Sequence, residues 1–240
     1  MKPILFNTEM VKAIMDGRKT VTRRLVKNPP NNVYAGRCAL GSGLFDEATH
    51  MRVVEPPFKT GDILYVRETW RVKSASYPPG RCEIEYRAGG TATFDEIVAL
   101  PTVKGEWRPS IHMPKKAARI FLRVKCVRAE RLQDITVEQV AAEGIDDTVP
   151  SEDSEDLCNY CPLPDSAKGV HCYGGSVYMC AGRCCKEAMD YWEEEFIGEF
   201  AGLWESTIKD KDIGDYGWDA NPWVWVIEFE KISKEEAMKC

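Results

Sequence analysis

The stretch GRKTVTRR, Gly17 to Arg24, places four cations and two threonines in eight residues. It follows a run in which Val11, Ile14 and Met15 recur at helical spacing, with Thr8 positioned to cap that helix and Gly17 where a left-handed C-terminal residue belongs. The Thr-Val-Thr core favours extended chain, so the segment reads as a helix exit feeding a strand. A cationic exit of this kind is a solvated turn, a phosphate clamp or the wall of an active site.

Working outward, the rest of the chain is mostly strand. FKTGDILYVRETW, Phe58 to Trp70, is a Gly-Asp turn leading into a strand. Alternation there sends Tyr65, Arg67 and Thr69 to one side and Val66, Glu68 and Trp70 to the other. Glu68 is thereby carried into a partly buried place, where an arginine of TRR is the expected partner. CEIEYR sets Cys82, Ile84 and Tyr86 against Glu83, Glu85 and Arg87, and ARIFLRVKCVRAERL sets Ile120, Leu122, Val124 and Cys126 against Arg123 and Lys125. NPWVWVIEFEKI puts Trp223, Trp225, Ile227 and Phe229 on one face. ITVEQVAAEGI, with Thr136 and Gln139 as a capping box and Gly144 as terminator, predicts a short helix. Met189, Trp192, Phe196, Phe200 and Leu203 predict a second helix, weakened at Gly198 and Gly202. WRPSIHMPKKAAR, Trp107 to Arg119, is either a base-stacking and phosphate-binding element or a loop shaped by Pro109 and Pro114.

The net charge of -6 conceals a division, because residues 1–132 hold 24 Lys and Arg against 13 Asp and Glu, and residues 133–240 hold 8 against 25. A basic half suits a phosphate-bearing partner while the acidic half maintains solubility. No stretch approaches the length of a membrane span, and the N-terminus has no export pattern, so a cytoplasmic protein is expected. Six of the ten cysteines lie within 28 residues, as C-x2-C at Cys158 and Cys161 and C-x3-C-C at Cys180, Cys184 and Cys185, with Cys172 between them. Paired thiolates in a polar segment point to one structural zinc on Cys158, Cys161, Cys180 and Cys184, with Cys185, Cys172 and His171 as alternative ligands.

In their order, GRKTVTRR, FKTGDILYVRE, LQDITVEQVAAEGI and WVWVIEFEKI resemble the ASCH domain of the PUA-like superfamily, of the type found in phage and prophage genomes. The resemblance covers most of residues 1–145 and 203–240 and implies an α+β fold, a mixed β-barrel with short flanking helices. Residues 146–202 are then an inserted cysteine-rich and helical segment. The ligand it implies is RNA or a modified nucleoside. Some small members of that family hydrolyse N4-acetylcytidine, and their reacting positions correspond here to Lys19, Thr22 and Glu143. Arg18, Arg23, Arg24, Arg67, Glu68 and Trp70 are the expected nucleic-acid or nucleoside-binding residues. The alternatives are an RNA-binding module without turnover, in which Arg18, Lys19, Arg23 and Arg24 hold phosphate and a tryptophan stacks a base, and a module that meets a protein partner through 146–202.

Overall fold

Residues 1–36, 42–76, 81–94, 105–145 and 183–239 are described by the computed structural model. In chain order the elements are β1 (Lys2–Leu5), α1 (Thr8–Met15), β2 (Val21–Leu25), β3 (Val33–Ala35), β4 (Leu44–Asp46), β5 (Arg52–Val54), β6 (Ile63–Arg67), β7 (Trp70–Ser76), β8 (Arg81–Tyr86), β9 (Thr91–Phe94), β10 (Phe121–Arg131), α2 (Val137–Ala142), α3 (Arg183–Thr207), α4 (Ile213–Tyr216), β11 (Trp223–Ile232) and α5 (Lys234–Lys239). The chain divides into two units. Met1–Glu130, Ala142–Gly144 and Trp223–Cys240 form the first, and Arg131–Ala141 with Ile145–Pro222 the second. The fold is mixed α+β.

The first unit is built on a five-stranded sheet in the order β1-β6-β10-β11-β2, beside two three-stranded sheets, β3-β4-β5 and β7-β8-β9. β1 runs parallel to β6 from Lys2↔Leu64 to Leu5↔Arg67, and β11 runs antiparallel to β2 from Val224↔Leu25 to Glu228↔Val21. Both faces of the main sheet are covered, which is why its strands carry apolar residues at adjacent as well as alternate positions. One face packs Leu64, Val66, Leu122, Val124, Trp225, Ile227 and Phe229 with Val11 and Ile14 of α1. The other packs Ile63, Tyr65 and Phe121 with Trp70, Val72, Ile84 and Tyr86 of β7 and β8.

The expected barrel is not closed. β1 and β2 end the strand order, and no ladder joins them among the described residues. Side chains occupy the gap instead: Arg24 Nη2 donates to Leu5 O at 2.7 Å, and its guanidinium lies 5.1 Å from the centre of the Phe6 ring. A ladder between those edges would need the space these groups fill.

Several local expectations are corrected. Asn7, whose backbone is extended, caps α1 by accepting from Met10 N at 2.9 Å, and Thr8 is already the first helical residue. The strand through YVRETW breaks after Arg67, so Trp70 joins the Tyr65 side rather than that of Val66. On β10 the buried set shifts from Leu122 and Val124 to Val127 and Ala129, which leaves Cys126 half-buried outside the alternation. An extra residue taken up on one side of a strand produces such a phase change.

In the second unit α3 continues unbroken through Gly198 and Gly202, burying Phe196, Phe200 and Trp204 at intervals of four. Trp204 Nε1 donates to Tyr216 O at 2.9 Å, which ties α3 to α4. No helix among the described residues is long and apolar enough to cross a membrane.

Candidate functional site

Lys19 lies between two elements whose hydrogen bonds hold its backbone from both sides. Gly17, at φ +84°, turns the chain out of α1 as expected, and Lys19 N then donates to Ala13 O at 3.0 Å. One residue on, Thr20 N donates to Ala142 O at 2.9 Å, while Thr20 O accepts from Phe229 N at the same distance. The end of α2 is thereby laced to the start of β2. Gly144 makes the approach possible. Its φ of +86° favours glycine, and a Cβ there would stand 2.7 Å from Ala13 Cβ and 2.9 Å from Lys19 Cβ.

This strap delivers Glu143 to Lys19. Lys19 Nζ donates to Glu143 Oε2 at 2.5 Å and to the Glu143 carbonyl at 2.8 Å, and Arg23 Nη1 donates to Glu143 Oε1 at 3.1 Å. The Lys19 side chain is 0% exposed and that of Glu143 4%. Arg18 Nη1 caps the strap by donating to Gly144 O at 2.9 Å. Burial pushes the Lys19 ammonium below the usual lysine range. The Glu143 charge and hydrogen bond oppose that shift, and the charges of Arg24 and Arg23 add to it. Burial disfavours charge on Arg23 and Arg24 as well, yet a guanidinium stays protonated in proteins. Lys19 is therefore the cation of this cluster able to give up its proton.

Thr22 is buried on β2 opposite Ile227, and alternation puts it on the face of Arg24, away from Arg23. The Phe6 ring relates that face to Lys19, since Nζ lies 5.8 Å and the Arg24 guanidinium 5.1 Å from its centre. Lys19, with Ala13 as its backbone partner, precedes β2 and is exempt from strand alternation, so the odd offset between Lys19 and Thr22 does not force them apart. Arg24 has no carboxylate within ion-pair distance among the described residues.

The other expected binding residues lie elsewhere. Glu68, 1% exposed, pairs with Arg119 and not with an arginine of TRR: Nε and Nη2 each donate to one of its oxygens at 2.8 Å. Break of the strand after Arg67 turns Glu68 toward the segment preceding β10, where the Arg119 guanidinium also stacks 4.0 Å from the Tyr86 ring centre. Trp70 is enclosed in the apolar layer, and Arg67 lies 5.9 Å from the centre of the Tyr65 ring. An open groove of 410 Å³ is lined by Met15, Arg119, Ile120 and Lys231 to Lys234, and none of Lys19, Thr22 or Glu143 borders it. Its Arg119 and Lys231 are already engaged, by Glu68 and by Met15 O respectively. Cys158, Cys161 and Cys180 fall outside the described residues, as does the side chain of Cys184.

Sequence reasoning missed Phe6, Glu130 and Arg128 as neighbours of this site. Two successive arginines on a two-sided strand were the available signal, because each face must then supply acceptors. The chain matches no protein-family model, no curated protein and no solved structure.

Proposed function

We propose that this chain is an amidohydrolase acting on a small acylated nucleoside, an N4-acylated cytidine, with Lys19, Thr22 and Glu143 as its reacting groups. The observation that supports the reading is the meeting of Lys19 and Glu143, 124 positions apart, at 2.5 Å in a site that lowers the lysine pKa. The order of motifs resembling ASCH proteins supplies the substrate class.

In this mechanism neutral Lys19 accepts the Thr22 Oγ proton as that oxygen attacks the acyl carbon. Arg24, on the Thr22 face, would meet the developing oxyanion. The C–N4 bond breaks, Glu143 passes the proton from Lys19 to the departing amine, and water then hydrolyses the threonine ester with Lys19 again as base.

Turnover of N4-acetylcytidine tests the proposal. Lys19→Ala should lose about 10²–10⁴-fold in rate, the typical contribution of a general base. Lys19→Arg should be nearly as damaging, because guanidinium cannot serve as base. Full activity in Lys19→Arg would overturn the assignment. A second reading, an RNA-binding module without turnover, is favoured by the near-complete enclosure of the Lys19 and Glu143 side chains. It expects no turnover in any variant and RNA affinity that falls as salt rises. The structural zinc, and a protein partner met through residues 146–202, remain proposals from cysteine spacing and acidic composition, open to elemental analysis and to binding assays with and without chelator.

A further inference from the structure

The first arginine of TRR has a carboxylate on either side. Arg23 Nη1 holds Glu143 Oε1 at 3.1 Å, and Arg23 Nη2 lies 3.8 Å from Glu130 Oε2. Glu130 Oε1 accepts from Arg128 Nε, and Arg128 Nη1 donates to Glu228 Oε1. Alternating charges thus run Lys19, Glu143, Arg23, Glu130, Arg128, Glu228. The first three side chains are at most 4% exposed and the last three 21%, 29% and 39%, so the row leads from the enclosed site to solvent across β2, β10 and β11.

Glu143 commits its two oxygens to different cations, Oε1 to Arg23 and Oε2 to Lys19. The terminal torsion of a glutamate is broad, so a carboxylate held by one cation can turn, whereas one held by two presents a fixed oxygen. Arg23 also brings a positive charge toward Lys19. Glu130 Oε2 is buried, makes no hydrogen bond and faces Arg23, so its charge acts on that arginine through space.

We propose that Arg23 and Glu130 are a positioning pair for the Lys19–Glu143 site. Arg23 fixes the Glu143 carboxylate and draws part of its field away from Lys19, and Glu130 moderates Arg23. The catalytic consequence rests on the reading of Lys19 as a base, while the electrostatic one does not. Lys19 is faced by the Glu143 carboxylate and carbonyl from the strap after α2, by Arg23 and Arg24 from β2, and by the Phe6 ring from the segment after β1. Glu130→Gln leaves all of these in place. Removing the positive charge of Arg23 should make Lys19 easier to protonate, and removing the negative charge of Glu130 should make it harder.

The experiment is NMR titration of the Lys19 side chain in the full-length chain labelled at lysine, with Lys19→Met assigning the signal, run beside the pH dependence of kcat/KM on N4-acetylcytidine. Arg23→Gln should move the Lys19 titration up, Glu130→Gln should move it down, and Arg23→Lys should restore most of the original position. The acid limb of the rate profile should follow in each case. Shifts that are absent or share one sign overturn the pair. If Arg23→Gln fails to fold, Glu130→Gln decides alone, an unmoved Lys19 counting against the proposal. If the titrations move in opposite directions while no variant turns over substrate, the pair stands and the hydrolase reading falls.

Discussion

Gly144 shows how much one residue can carry. Its φ of +86° and its contact with Ala13 and Lys19 let the strap after α2 lie against the α1 exit, and Glu143 reaches Lys19 only through that strap. Gly144→Ala should therefore cost on the order of 2–5 kcal/mol, combining about 1–2 for a left-handed alanine with about 1–3 for overpacking. Urea denaturation measures the loss, and a variant as stable as the original would show that the strap has other room to move. Gly144 was legible in the sequence as a helix terminator, since a helix stop is a local signal. Its second role was not, because steric contact with Ala13 is a tertiary fact. Lys19 and Glu143 were paired by resemblance alone; nothing in spacing joins positions 124 apart. Glu130 sat in a stretch read as simple alternation, with no local cue that a buried arginine on another strand would face it.

Alternation made β8, β10 and β11 readable as elements, because a strand with one apolar face repeats every two residues. It failed where the chain changed phase, after Arg67 and at Cys126, since a break or an added residue leaves no mark in residue type. In α3 the opposite error arose. Gly198 and Gly202 argued for a break, yet the helix runs from Arg183 to Thr207, held by Phe196, Phe200 and Trp204 on its buried side. Tertiary packing outweighs the propensity of two glycines, each about 1 kcal/mol less favourable than alanine. A Cβ at either glycine would meet nothing within 4 Å. Gly198→Ala and Gly202→Ala should accordingly each stabilise the second unit by about 0.5–1 kcal/mol, read from denaturant midpoints at unchanged slope. Destabilisation by either would mean that the glycine face of α3 is covered.

For the whole molecule, strand order was beyond the reach of sequence pattern, since the parallel pairing of β1 with β6 joins segments some 60 residues apart and alternation names no partner. The resulting sheet gathers Lys19, Arg23 and Arg24 around Glu143, and that enclosure makes global stability report on one proton. Burial lowers the Lys19 pKa below its ordinary 10.5, although Glu143 opposes the shift. Between the folded pKa and 10.5 the unfolded chain binds a proton that the native chain does not, so unfolding free energy rises with pH across that window. Below the folded pKa both states carry the proton and the contribution is constant. Other lysines and tyrosines titrate there too, but they cancel in the difference between the original chain and Lys19→Met, which removes the charge and keeps the length. That difference, from urea melts at steps from pH 7 to pH 10, should increasingly favour the original chain as pH rises. A phosphate clamp needs a lysine that keeps its proton: with a folded pKa raised above 10.5 by its carboxylate neighbour, the contribution is lost only above 10.5, and the difference would stay flat from pH 7 to pH 10. A rising difference against a flat one thus separates a base from a clamp without any substrate in the tube.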